Sequence, residues 1–316
     1  AMGWFGSTST QKQAKPGLLS NLRFRAKIML GFLVVLGISA VNMGVAYFGF
    51  ERISAGVDAY HGIVAEADAA RTIDRELTAY QLLARYYVVT GAEADQAAAR
   101  AAEGELAKAI EHATRVAGAD NRGSIVALSE NFQEFTKLFA KVTEIKNENA
   151  MIAANQLLRA GNFLRYKFDD LADGAIIAGL PSMHSTVKEM ATHSAAITAN
   201  ISNFVAKPEK AVANSANARM QMLKNSFASL QADDEKLSAR IREIAEQLAA
   251  YQAAFGKFVE NTAAIDALGA KMGEAASAIT QQATAIKDGL SARQQQLAGQ
   301  SASAARATET FVTFLG

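Results

Sequence analysis

The longest apolar pattern in the chain covers residues 28–50, where 23 consecutive residues carry no charged side chain. At about 1.5 Å per helical residue, such a run crosses the roughly 30 Å hydrocarbon core of a bilayer. The pattern therefore predicts a transmembrane helix. Because only isolated glycines follow it before Gly91, we expect this helix to continue outside the membrane as far as Thr90.

A cleaved signal peptide is an alternative interpretation of the same run, because Gly44-Val45-Ala46 offers small residues at a spacing that suits cleavage. The apolar core of a signal peptide has about 7–15 residues, however, and this run is longer. Tyr47 and Phe48 also suit the aromatic belt at the outer interface of a membrane. The pattern therefore favours a membrane span that is retained.

Beyond this span the chain is rich in strong helix formers, so its exterior part is predicted to be all-α. The apolar run at 311–316 predicts the start of a second membrane span, and an apolar helix end that packs on its own bundle is the alternative interpretation. The predicted organisation is a cytoplasmic segment at 1–27, a transmembrane helix at 28–50, a periplasmic helical domain at 51–310 and the second span at 311–316. Helix breaks are predicted at Gly91, at residues 118–123, 173–181 and 207–208, and near Gly269 and Gly273, which leaves about six helices.

Charge is divided unevenly along the chain. The first 27 residues carry +5, and the remainder carries −4 of the total charge of +1. Because a positive flank is retained on the cytoplasmic side of a membrane, the amino-terminal segment is predicted to lie inside and the helical domain outside. This orientation is typical of a receptor in the inner membrane of a bacterium. The mildly acidic exterior argues against nucleic acid as a partner.

The sequence lacks the motifs of the common enzyme chemistries. It contains no GxSxG, GxxxxGKS/T, GxGxxG or HExxH motif, and it has no cysteine. Its four histidines are too scattered to place two metal ligands on one helix face: His61, His112, His184 and His193. We therefore expect no enzymatic activity, no cofactor and no bound metal.

The first external helix carries an apolar stripe that points to a binding site. The stripe has the alternating steps of four and three residues that turn one face of a helix toward partner helices, and it consists of Ile53, Val57, Tyr60, Val64 and Ala67. Continued by similar steps, it reaches Arg71 and Arg75, where core side chains are expected. A guanidinium group is costly to bury unpaired, and a pair of them suits a carboxylate. The two arginines are therefore candidate ligand-binding residues.

A second apolar stripe on the same helix gives the alternative interpretation. It consists of Ile73, Leu77, Tyr80 and Tyr87. If this stripe forms the core, Arg71 and Arg75 face water. The sequence leaves both interpretations open.

Two residues near the end of the chain are candidate partners of these arginines. Arg71 and Arg75 lie about 21 and 25 residues beyond Phe50, and an equal count back from Phe311 reaches residues 286–290. Lys287 lies at that level and Thr284 lies beside it. An ammonium group and a hydroxyl group at this level could complete a carboxylate site.

Three segments of the chain resemble those of bacterial methyl-accepting chemotaxis receptors: residues 22–32 (LRFRAKIMLGF), 84–93 (ARYYVVTGAE) and 251–255 (YQAAF). The resemblance implies a helical bimodular sensor domain, in which six helices form an elongated pair of stacked four-helix bundles. It also implies a small organic acid as the ligand, with Arg71, Arg75 and Thr284 in the positions of its binding residues, and a cytoplasmic signalling domain beyond this chain.

Two other functions fit the same pattern. The domain could serve as the sensor region of a histidine kinase, which would differ only in the cytoplasmic part. It could also dock a periplasmic binding protein and bind no small molecule. In the receptor we expect a homodimer, because two subunits would give such long helices a packing partner.

Overall fold

A computed structural model describes residues 24–315, and within that range it contains helices and turns but no strand. Because α3, a π-helical segment and α4 follow one another without a turn, residues 24–315 form six helices, in agreement with the number that the sequence predicts. The elements are α1 (Phe24–Thr90), α2 (Glu93–Val116), α3 (Arg122–Met151), the π-helical segment (Ile152–Leu158), α4 (Arg159–Ile177), α5 (Pro181–Ala206), α6 (Lys210–Ala228) and α7 (Glu235–Leu315).

Glycines in the left-handed conformation end two of the helices at predicted breaks. Gly91 has a φ of 65°, and its N–H donates to the carbonyl of Tyr87 at 2.8 Å. Gly179 has a φ of 73°, and the next N–H, that of Leu180, donates to the carbonyl of Ala175 at 2.8 Å. A residue with a side chain is strained at such a φ, so glycine sets the ends of α1 and α4.

The predicted break near Gly269 and Gly273 is wrong, because α7 continues through both residues. An isolated glycine costs a helix only about 1 kcal/mol, which packing can offset. The missing break lies instead between α6 and α7. There the side chain of Asp234 accepts a hydrogen bond from the N–H of Leu237 at 2.9 Å, in the manner of a helix N-cap.

The described chain divides into two compact units, and the first contains the ends of α1 and α7, up to Ile63 and from Arg293. Its apolar side chains along residues 28–50 are exposed, Phe50 at 77%. Residues Ile28–Thr90 form a helix that is long and apolar enough to cross a membrane. Residues 1–23 lie outside the described range, as do the side chains of the predicted second span at 311–316.

The second unit, Val64–Ala292, contains two four-helix bundles. In the first bundle, α2 and α3 pack with residues 64–90 of α1 and residues 261–292 of α7. Aromatic contacts fill its centre: the ring of Tyr80 lies 4.9 Å from that of Phe135, and Tyr87 lies 5.7 Å from Phe139, measured between ring centroids. These contacts pack the inner face of α1 against α3.

The second bundle consists of the π-helical segment, α4, α5, α6 and the start of α7. Phe168 of α4 packs edge-to-face on Phe227 of α6 at 5.7 Å, and Phe204 of α5 packs in the same way on Phe255 of α7 at 5.6 Å. The long α3–α4 helix and α7 both run through the two bundles. The second unit therefore has the pair of stacked bundles that the resemblance to the chemotaxis receptors implies.

Close approach of α4 to α5 depends on Gly161. A Cβ atom at this buried position would lie 2.6 Å from Cγ2 of Thr198 and 3.2 Å from the hydroxyl oxygen of Tyr251. Real Cβ atoms do not come so close to other atoms, so any side chain here would push the helices apart.

We expect Gly161→Ala to lower the free energy of unfolding by about 1–3 kcal/mol, because the added methyl group overpacks this contact. Circular dichroism during urea denaturation would measure the change. Adding Thr198→Ser should restore part of the loss, because it removes the atom nearest to the new methyl group. Gly104→Ala is the matched control: nothing lies within 4 Å of a Cβ atom there, and we expect it to stabilise α2 by about 0.5–1 kcal/mol.

Candidate functional site

Arg71 and Arg75 lie on the exposed face of α1. The side chain of Arg75 is 73% exposed, and its guanidinium contacts the carboxylate of the neighbouring Glu76 at 2.9 Å. Among the residues that the structure describes, no side chain pairs with Arg71. The expectation that these arginines occupy core positions of the bundle is therefore wrong.

The core face of α1 is the alternative stripe. Ile73, Leu77, Tyr80 and Tyr87 are at most 1% exposed. A helix with 3.6 residues per turn cannot turn this face and the arginine face toward the same core. Burial of large aromatic groups stabilises the fold, whereas burial of unpaired guanidinium groups destabilises it. The proposed role of the arginines in ligand binding stays a prediction, and any ligand would have to reach them from outside this bundle.

Lys287 lies at the level of Arg71 and Arg75, as the residue count along the two helices predicts. Its ammonium group donates a hydrogen bond to the carboxylate of Asp74 at 3.2 Å, and both side chains are partly buried. Asp74 stands between Arg71 and Arg75 in the chain, so α7 meets α1 at the level of the arginines. Thr284 is exposed on α7, about one turn away from Lys287. Asp74 offsets the charge of Lys287, whereas Arg71 and Arg75 stay exposed to solvent on the neighbouring helix.

Apolar side chains flank the arginines on the exposed face of α1. At about 100° of rotation per residue, Val64, Arg71, Arg75, Leu82 and Val89 all fall within a narrow sector of the helix. Leu82 is 56% exposed and Val89 is 77% exposed. We call these five residues the α1 stripe. A helix face that mixes exposed apolar groups with arginine has the composition typical of an interface.

A partly buried polar network lies on the opposite side of α1. The hydroxyl group of Tyr80 donates to the carboxylate of Glu103 at 2.9 Å, and Arg100 contacts the same oxygen at 3.2 Å. The guanidinium carbon of Arg100 also lies 5.4 Å from the centroid of the Phe139 ring. Burial, reinforced by the charge of Glu103, raises the pKa of Tyr80, so the phenol stays a neutral donor. The only sequence signal for this network was the i,i+3 spacing of Arg100 and Glu103.

Within residues 24–315, no group of three or more histidine, aspartate or glutamate side chains could hold a metal ion. The absence of a cofactor and of enzymatic activity stays a prediction.

The chain matches no protein-family model and no curated protein. Its fold is similar to that of a solved structure, the crystal structure of the TorS sensor domain in complex with TorT in the presence of TMAO. The two chains share 11% sequence identity at a TM-score of 0.51, over 72% of this chain and 99% of the other. This likeness shows the fold alone: the chain has a helical architecture similar to that of this neighbour.

We expect Tyr80→Phe to lower the free energy of unfolding by about 1 kcal/mol, because it removes the hydroxyl that donates to the partly buried Glu103. Thermal denaturation followed by circular dichroism would measure the loss. Tyr86→Phe is the matched control on the same helix, because Tyr86 is 56% exposed and its hydroxyl can bond to water. Equal effects of the two substitutions would contradict a stabilising role for the network.

Proposed function

We propose that this chain is the sensor region of a membrane-anchored bacterial chemoreceptor, and that it binds a small organic anion in the periplasm. The observation that carries the proposal is the exposed pair Arg71 and Arg75, one turn apart on a helix that continues from an apolar, exposed span. Two guanidinium groups at this spacing can bind one carboxylate group or two. Thr284 and Lys287 on α7 lie close to the level at which such a ligand would bind.

The α1 stripe also supports a homodimer. Two copies anchored in one membrane in the same orientation have the same residues at the same distance from the membrane. The α1 stripe of one copy would therefore pack on the α1 stripe of the other. Leu82 and Val89 would supply apolar contacts, while Arg71 and Arg75 of both copies would repel one another. An anion between the copies would relieve this repulsion. The ligand would thereby favour one arrangement of the α1 helices, which is what a sensor needs in order to signal.

The resemblance of residues 22–32 and 84–93 to chemotaxis receptors favours a receptor that signals through a chemotaxis signalling domain. Output through a histidine kinase remains the alternative, since the sensor region would be the same. The coding sequence downstream of Gly316 would distinguish them. A kinase domain there would remove the chemotaxis part of the proposal and leave the anion site unchanged.

We expect at least one small di- or tricarboxylic acid to bind the full chain in detergent, and Arg71→Ala and Arg75→Ala each to weaken that binding about tenfold or more. Loss of one charge-assisted hydrogen bond costs about 1.5–3 kcal/mol, and about 1.4 kcal/mol corresponds to a factor of ten. A thermal-shift screen of such acids, followed by isothermal titration calorimetry, measures this effect.

Arg219→Ala is the control for this experiment, because Arg219 is an exposed arginine on α6 in the second bundle. It should leave the affinity unchanged. If no acid stabilises the protein, or if all three variants bind equally well, the anion site is not at the arginine pair.

Docking of a periplasmic binding protein is the second candidate function, and exposed apolar residues at one end of the second bundle favour it. Ile176 is 52% exposed, Ile177 is 87% exposed and Leu180 is 39% exposed. The α6–α7 turn lies at the same end, because Arg240 contacts Asp170 at 3.0 Å. Exposed acidic residues surround this end of the bundle: Asp173, Asp233, Asp234 and Glu235. An apolar centre with a charged rim is the usual composition of a docking surface.

If this end docks a protein, a photo-crosslinking amino acid at Ile177 should capture one defined periplasmic protein in cells. The same amino acid at Met222, which is 69% exposed on α6, should not capture it. Ile177→Asp should abolish the capture from a crosslinker placed at Leu180, because a charge at the centre of the surface opposes burial. Equal capture from Met222 would show that contact is unspecific.

A further inference from the structure

From Asn149 to Ala175, one row of buried positions on the α3–α4 helix keeps steps of three and four residues, with one exception. Along α4 the buried residues follow one another regularly: Leu157, Gly161, Leu164, Phe168, Leu171 and Ala175. Between Ile152 and Leu157, which are 4% and 0% exposed, the step is five residues. The chain therefore contains one residue more here than a regular α-helix needs.

The π-helical segment Ile152–Leu158 accommodates this extra residue. In an α-helix, residues five apart point about 140° away from each other, so Ile152 and Leu157 could not both enter one core. In a π-helix each N–H bonds to the carbonyl five residues back, which brings the two side chains onto one face. Both belong to the core of the second bundle. Packing in that bundle thus holds a backbone geometry that is rare and is often found at functional sites.

Just before this segment, α3 contacts the last turn of α1. The ammonium group of Lys146 donates to the carbonyls of Tyr87, at 3.2 Å, and Val88. It also lies 5.6 Å from the centroid of the Tyr87 ring. A cation at the carboxyl end of a helix is favourable, and burial lowers the pKa of this lysine. Movement of Lys146 would therefore act on the end of α1.

One turn further along α3, polar side chains contact α7. The side-chain amide nitrogen of Asn149 lies 3.5 Å from the carbonyl oxygen of Phe258 and 3.4 Å from the hydroxyl oxygen of Thr262. The side-chain amide of Asn261 donates a hydrogen bond to the carboxylate of Glu148 at 2.8 Å. The side-chain oxygen of Asn149 is buried and has no hydrogen-bond partner. Hydrogen bonds of this length are weak, and an unpaired buried oxygen is costly. A small shift of α3 along α7 would therefore meet little opposition from the contacts of Asn149.

We propose that the π-helical segment is a register switch that couples the second bundle to α1 and α7. When the segment changes from π-helical to α-helical hydrogen bonding, α3 rotates and shifts relative to α4. Lys146 and Asn149 then carry this shift to the end of α1 and to the middle of α7. The proposal deepens the proposed sensor function and rests on it, because α1 is the helix that continues into the apolar span. A ligand or partner that prefers one state of the segment would bias the switch.

Deletion of Asn155 tests the switch in the full chain without any ligand. Asn155 is an exposed residue of the segment, and its loss shortens the step between buried positions from five to four residues, which suits an α-helix. In hydrogen exchange we expect the amides of residues 152–158 to exchange about tenfold more slowly, because an α-helix is the more stable form. We also expect exchange at residues 87–91 and 258–262 to change by about threefold or more.

Two controls complete the experiment. Asn155→Ala keeps the length of the segment and should leave the exchange at residues 87–91 and 258–262 unchanged. Lys146→Met in the deletion variant should abolish the response at 87–91 and retain the response at 152–158, whereas Lys141→Met, at an exposed lysine of the same helix, should abolish neither.

The proposal is overturned if the deletion slows exchange at 152–158 alone. It is also overturned if the deletion variant loses its helical circular dichroism, because the second bundle must accommodate the α-helical state. Neither measurement involves Arg71 or an anion. Failure of the switch is therefore distinguishable from failure of the proposed anion site.

Discussion

Packing of Tyr80 and Tyr87 against the phenylalanines of α3 fixes the rotation of α1, and much of the molecule depends on that rotation. Both rings are buried, with centroids 5.8 and 5.7 Å from that of Phe139. Once this face turns inward, helical geometry turns Arg71 and Arg75 outward. The hydrogen bond from Tyr80 to Glu103 also fixes the position of α1 along its neighbours, which apolar packing alone specifies less strictly. The α1 stripe is thus a consequence of the aromatic core on the other side of the helix.

The two bundles of the second unit are built by shared helices and not by a linker. The α3–α4 helix and α7 pass through both, so a displacement in one bundle has a direct mechanical route to the other. The polar contacts of Lys146, Asn149 and Glu148 lie at the level where the bundles meet. Polar layers of this kind fix the register of helices at a cost in stability, since apolar groups would pack there without unpaired atoms. That combination suits a protein that must hold two related arrangements.

The likeness to the TorS sensor domain at 11% identity shows how little of this architecture depends on particular side chains. Apolar periodicity, helix formers and breakers at the turns are enough to specify stacked helical bundles. Ligand-contacting groups do not follow from that pattern, because exposed positions of a helix can be exchanged with little effect on its packing. The arginine pair, the exposed apolar end of the second bundle and the contacts of α3 therefore have to be argued from this chain itself.

The sequence by itself determined the all-α class, the apolar span and most helix ends, because each depends on a local property: hydropathy, helix propensity, or a glycine that tolerates positive φ. The sequence also placed Lys287 at the level of Arg71 and Arg75, because the number of residues along a straight helix gives the distance along its axis. Only the tertiary structure decided which of two stripes on α1 is buried, because that choice depends on the aromatic residues of α3. It alone showed the π-helical segment, since a step of five between buried residues is recognised only when the buried residues are known. Burial is a property of the packed helices, and a helix in isolation does not contain it.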